Sequence, residues 1–71
     1  MLAKQALADP LTNREITVLR LIAAGLTNRV IAEELVISIG TVKGYSRNIY
    51  SKLTVTNRQD AVKRALDLNL I

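Results

Sequence analysis

Three residues, Val36, Ile37 and Ser38, separate two stretches of helical pattern, and this gap constrains the fold more than any other feature. Before it, Thr27 stands as a cap ahead of Ile31, Ala32 and Leu35; after it, Ser38 stands ahead of Val42, Tyr45, Ile49 and Leu53. The second set falls at steps of three, four and four, which draws one apolar stripe along a helix. A connection this short cannot lay two helices side by side, so they must cross steeply. Ala32 is small where the helices approach, and Ile37 and Val42 are apolar where the corner needs a plug. That is the pattern of a helix-turn-helix.

The same punctuation recurs on both sides. Thr12 with Glu15 three residues on forms a capping box, and Leu11 with Ile16 can supply the hydrophobic staple that goes with it. Val18, Leu19, Ile22 and Ala23 repeat at helical spacing, and Gly25 suits a left-handed helix end. Asn57 can cap a last helix with Asp60 in its first turn and Ala61, Val62, Ala65 and Leu66 as apolar positions. No useful length alternates with period two; "TVTN" at 54–57 is β-prone but too short for a strand. The pattern predicts an all-α domain of four helices at about 13–24, 28–35, 39–53 and 58–68. Residues 1–10 are expected to be a linker or a frayed helix that Pro10 ends.

Composition removes several classes of function. The 71 residues make at most one small domain, contain neither Cys nor His, and hold no apolar run near the ~20 residues of a membrane span. A cytoplasmic setting follows, with no disulfides, and no metal or cofactor is expected. Residues 1–10 make a poor secretory signal, since their apolar pieces are broken by Gln5 and Asp9. Catalysis has no visible machinery. Glu33 and Glu34 diverge by about 100° on a helix and cannot flank a substrate together. Ser and Thr are accounted for by caps.

Charge is placed unevenly. Residues 1–37 are neutral in sum, whereas 38–59 hold Lys43, Arg47, Lys52 and Arg58 and no acid. Such a stripe suits a polyanionic partner or a solvated face. On the predicted third helix, Gly40, Lys43, Gly44, Arg47 and Ser51 lie opposite the apolar stripe. Two glycines beside two cations would let the backbone approach a surface closely while the cations reach forward. The N-termini of the second and third helices add free N–H groups and a positive dipole end. Thr27, Asn28, Ser38 and Thr41 stand there, with Thr27 and Ser38 also serving as caps, so all four are candidate phosphate contacts. Lys52 and Arg58 are either longer-range phosphate contacts or solvated charges.

The segments "LTNREITVLRLIAAGLTN", "IAEEL", "IS", "TVK", "NIYSKL" and "NRQDAVKRA" occur in order through residues 11–71. Together they resemble the C-terminal DNA-binding domain of LuxR-type (FixJ/NarL-type) bacterial transcription regulators. "SIGTVKGYSRNIYSKL" and "NRQDAV" look most like the subgroup that ends large ATP-binding regulators similar to the maltose activator. The resemblance implies that the "TVK" helix enters the major groove of double-stranded DNA, with Lys43 at a base or phosphate. Gly44 and Arg47 occupy positions that set sequence preference. Gly44 departs from the pattern by offering no side chain, so preference should lean on Arg47, whose guanidinium can pair with guanine. Tyr45 stands where His is usual, and its hydroxyl can reach a phosphate.

The resemblance also implies a homodimer on inverted half-sites through the fourth helix, with Val62 and Leu66 as a small apolar strip. It further implies a separate N-terminal sensor domain, for which this chain has no room; RNA polymerase is a further candidate partner. A self-standing small regulator is the alternative to a fragment. The competing functional class is a helical protein–protein interaction module contacting the transcription machinery; a sigma-factor promoter-recognition domain would share the motif.

Overall fold

The computed structural model describes residues 9–71, so the expectation for the N-terminal linker or frayed helix falls mostly on residues outside the described ones. Four α-helices follow in order: α1 Asn13–Ala23, α2 Asn28–Leu35, α3 Ile39–Leu53 and α4 Arg58–Asp67. No strand occurs among the described residues. The starts are those expected, and α1 and α4 each end one residue earlier, because Ala24 and Leu68 are their caps.

Each start is set by one side chain. Thr12 Oγ1 accepts from the Glu15 N–H at 3.1 Å, and the Thr12 N–H donates back to Glu15 Oε1 at 2.8 Å, which completes the capping box. Thr27 accepts from Val30, Ser38 from Thr41 and Asn57 from Asp60, at 3.2, 3.0 and 2.9 Å. Each such cap is worth about 1 kcal/mol.

The helix ends share one pattern that the sequence showed only at Gly25. Gly25, Val36, Thr54 and Asn69 all have left-handed backbones, with φ of 89°, 56°, 59° and 59°. In each case the next residue's N–H bonds a carbonyl five back: Leu26 to Leu21, Ile37 to Ala32, Val55 to Tyr50 and Leu70 to Ala65. Those next residues are apolar and lie in or against the core. Glycine is the usual occupant of the left-handed position, and a β-branched residue there is an outlier. Val36 and Thr54 therefore hold conformations their side chains oppose.

The core joins all four helices. Val18, Leu19 and Ile22 come from α1, Ile31 and Ala32 from α2, Val42, Ile49 and Leu53 from α3, and Ala61 and Ala65 from α4, with Leu11 and Leu70 closing the ends. α3 lies in the middle and packs against the other three helices. Its buried face differs from the predicted stripe at one place. Ser46 is buried with Val42, Ile49 and Leu53, while Tyr45 is half-buried at the edge. The spacing 42, 46, 49, 53 is as helical as 42, 45, 49, 53, and periodicity alone ranks Tyr ahead of Ser as the apolar member.

Candidate nucleic-acid interface

The fold leaves the first half of α3 open. Gly40, Lys43 and Arg47 are exposed and Gly44 is half-buried. A methyl group added at Gly44 would meet nothing within 4 Å, and one at Gly40 would meet only Ser38 Oγ at 3.8 Å. Neither glycine has a positive φ. Gly44 costs the interior of α3 about 1 kcal/mol relative to Ala. Nothing inside the domain requires them. Lys43 and Arg47 have no ion-pair partner among the described residues. A backbone-thin face thus carries two unpaired cations.

The helix starts beside this face are arranged for anions. Thr27, Ser38 and Thr41 are exposed and Asn28 is half-buried. Ser38 and Thr41 hydroxyls lie 2.9 Å apart, so one donates to the other, and Ser38 also accepts from the Thr41 N–H. The first turn of α2 contains no acid to oppose a bound anion, nor does that of α3.

The other two cations of the basic segment, expected as phosphate contacts or as solvated charges, have their charged groups engaged within the domain. Lys52 Nζ lies 2.7 Å from Glu15 Oε1 and 3.2 Å from the Pro10 carbonyl. The Lys52 side chain is only 16% exposed and that of Glu15 only 6%. Burial raises the Glu15 carboxyl, but the Lys52 ammonium and the hydrogen bonds with Thr12 outweigh it and hold the group below its ordinary 4.5. The hydrogen bond that Lys52 donates to Glu15, opposed by desolvation, holds Lys52 above its ordinary 10.5. Arg58 donates to the Leu26 carbonyl and, at 3.4 Å, to that of Ile22, which ties the start of α4 to the end of α1. Both residues brace the scaffold.

On α4, Ala61 and Ala65 are fully buried. Val62 is half-buried and Leu66 is 56% exposed, so a short apolar strip does face outward. A second apolar group, Val30, Val36 and Ile39, is exposed around the α2–α3 turn, beside an exposed Arg29–Glu33 pair at 4.0 Å. Sequence reasoning passed over Ser46 and Tyr50. They border an open cleft with Asn28, Lys43, Arg47 and Arg58. The helical spacing of Ser46 from Val42, Ile49 and Leu53 is its one trace in the sequence, and it does not separate a buried hydroxyl from an exposed one. No helix among the described residues is long and apolar enough to cross a membrane.

Comparison with known proteins agrees with this geometry. The family model described as GerE, bacterial regulatory proteins of the luxR family, matches residues 9–65. Among solved structures, the chain is similar to the response regulator ChrA of a heme-sensing two-component system. The identity is 44% and the TM-score 0.86, over 89% of this chain. The chain spans only 31% of the length of that relative.

Proposed function

Since the chain belongs to the luxR family of bacterial regulatory proteins, and so is a helix-turn-helix, DNA-binding domain of a transcription regulator, we propose that α3 reads the major groove of double-stranded DNA. The observation that carries this reading is the face of α3 itself: Lys43 and Arg47 unpaired, beside two glycines that the fold does not need. Arg47 is the principal base contact and Lys43 the second. Gly44 brings the backbone close to the base edges. Thr27, Asn28, Ser38 and Thr41 contact phosphates from the starts of α2 and α3, and the Tyr45 hydroxyl reaches another. Lys52 and Arg58 are left out of this set because their charged groups are engaged within the domain.

Residues 11–71 form the DNA-binding domain in this reading. Val62 and Leu66 pair two copies on inverted half-sites. Their strip is far short of the ~1,200 Å² of a stable interface, so the pair forms weakly without DNA or a further domain. We place the chain in the maltose-activator-like subgroup on the wording of "SIGTVKGYSRNIYSKL" and "NRQDAV". A sensor domain precedes it in the whole regulator, in keeping with the much longer relative. The setting is the cytoplasm, and the domain binds rather than catalyses. A second reading, contact with RNA polymerase or another protein of the transcription machinery, is favoured by the exposed Val30, Val36 and Ile39.

Fluorescence anisotropy on short random-sequence duplexes across a salt series tests the main reading. The expected result is a linear fall of log K with log salt whose slope corresponds to several phosphates. Absence of binding at low salt, both for the chain and for a covalently linked dimer of it, would sink it.

A further inference from the structure

The open cleft between the start of α2, the middle of α3 and the first residue of α4 has a volume of about 400 Å³. Of its lining residues, Lys43, Arg47 and Arg58 are cations, and none is an acid. Ser46 lines the same cleft, is 7% exposed, and its Oγ has no hydrogen-bond partner. Buried hydroxyls in folded proteins are nearly always satisfied; this one is sealed in the wall of the cleft, and a turn about its Cα–Cβ bond is the motion that brings it to an acceptor there. The Tyr50 hydroxyl and the Asn28 side-chain amide are two further donors on the cleft without a partner among the described residues. Asn28 is also the first residue of α2, where the backbone N–H has no acceptor within the helix.

We propose that this cleft binds one phosphodiester of the DNA backbone. Ser46, once its hydroxyl turns outward, donates with Tyr50 and Asn28 to the non-bridging oxygens, and Lys43 and Arg47 supply the positive field, with Arg58 held back in the wall by the Ile22 and Leu26 carbonyls. The proposal rests on the DNA reading above and adds two residues, Ser46 and Tyr50, to the binding surface. A phosphodiester fits because it is a small anion that offers only acceptors to a site that offers only donors and cations. It also lies where a backbone would run, since Lys43 and Arg47 belong at once to the cleft and to the face assigned to the groove. The two hydroxyls are neutral, which gives the site a separate signature. Losing them removes hydrogen bonds without changing the number of counterions released.

The experiment compares the chain with S46A and with S46A/Y50F on two short duplexes of unrelated sequence across a salt series, alongside thermal melting. The double variant should bind both duplexes about tenfold more weakly. Its plots of log K against log salt should run parallel to those of the unaltered chain. S46A should melt no lower than the parent, because the substitution removes a buried hydroxyl that nothing in the fold uses. Unchanged affinity in the double variant would overturn the site, leaving Ser46 to turn back on the Val42 carbonyl one helical turn earlier. Weakening on one duplex alone would make the cleft a reader of bases, and weakening matched by a lower melting temperature would make it structural; either result overturns the proposal. If phosphorus NMR finds inorganic phosphate bound and lost in S46A while DNA affinity holds, the ligand is a free anion and the backbone assignment falls. Failure of both the unaltered chain and its covalently linked dimer to bind either duplex sinks the DNA reading together with the cleft, whereas normal binding with an indifferent double variant sinks the cleft alone.

Discussion

Lys43 and Lys52 stand nine residues apart on one helix, in one acid-free stretch of sequence, and the fold treats them oppositely. At the N-terminal half of α3, Lys43 and Arg47 extend into solvent from a face thinned by glycine. At the C-terminal end, Lys52 closes on Glu15 and the Pro10 carbonyl, and Arg58 just beyond closes on the end of α1. One half of the basic segment is available to a partner; the other half fastens α3 and α4 to α1. Net charge by segment therefore overstates the binding surface. What separates the two halves is whether a carboxylate or a free carbonyl from another part of the chain reaches the cation first.

The contrast predicts that substitutions at the fastened end act on stability and those at the open end on DNA. The largest effect should come from Glu15→Ala. It unpairs the Lys52 ammonium and removes the acceptor for the Thr12 N–H, a loss larger than that of removing any single helix cap, read by denaturant unfolding. A loss no larger than that of an exposed acid such as Glu33 would erase the distinction between the two ends. The pair also fixes a pH dependence. Because Glu15 is held below 4.5 in the fold, its contribution is complete above that pH and is lost as pH falls through the lower folded value. Lys52, held above 10.5, keeps its contribution below that pH and loses it as pH rises through the higher folded value. In E15A the acid limb should flatten.

Next in size, Arg47→Ala should cost about 1–3 kcal/mol on a preferred DNA site and relax choice at one base pair, with no change in melting. Equal losses on every sequence would reassign Arg47 to phosphate. The smallest effect is the most diagnostic. Gly44→Ala should raise stability by under about 1 kcal/mol, since the added methyl meets open space and the helix gains propensity. DNA affinity should fall in the same variant. A stabilised protein with unaltered binding would mean that the bare face of α3 has no role in docking.

The legible part of this chain was its local part. Thr12, Thr27, Ser38 and Asn57 announced four helix starts because a cap and its target N–H lie within three residues of each other. The open face of α3 was legible for a similar reason, since Gly40, Lys43, Gly44 and Arg47 share one side at helical spacing. Glu15 was legible only as a member of the capping box; its second partner lies 37 residues away, and no spacing rule reaches that far. Arg58 was named as a phosphate contact or a solvated charge, and its carbonyl partners, at separations of 32 and 36 residues, were out of reach for the same cause. Ser46 escaped because a hydroxyl on a buried stripe cannot be told from one turned to solvent until the neighbouring helices are in place.

The left-handed helix ends bear on how the domain comes together. At Gly25 the turn is available to the bare chain. At Val36 and Thr54 it is not, and Val36, 89% exposed, gains almost no packing from its own side chain. What holds those turns is the apolar residue beyond each one, Ile37 and Val55, seated against the core. The ends of α2 and α3 therefore exist only once the other helices are there to receive that residue. Their boundaries belong to the assembled core, and helix termination and core formation become one cooperative event in folding.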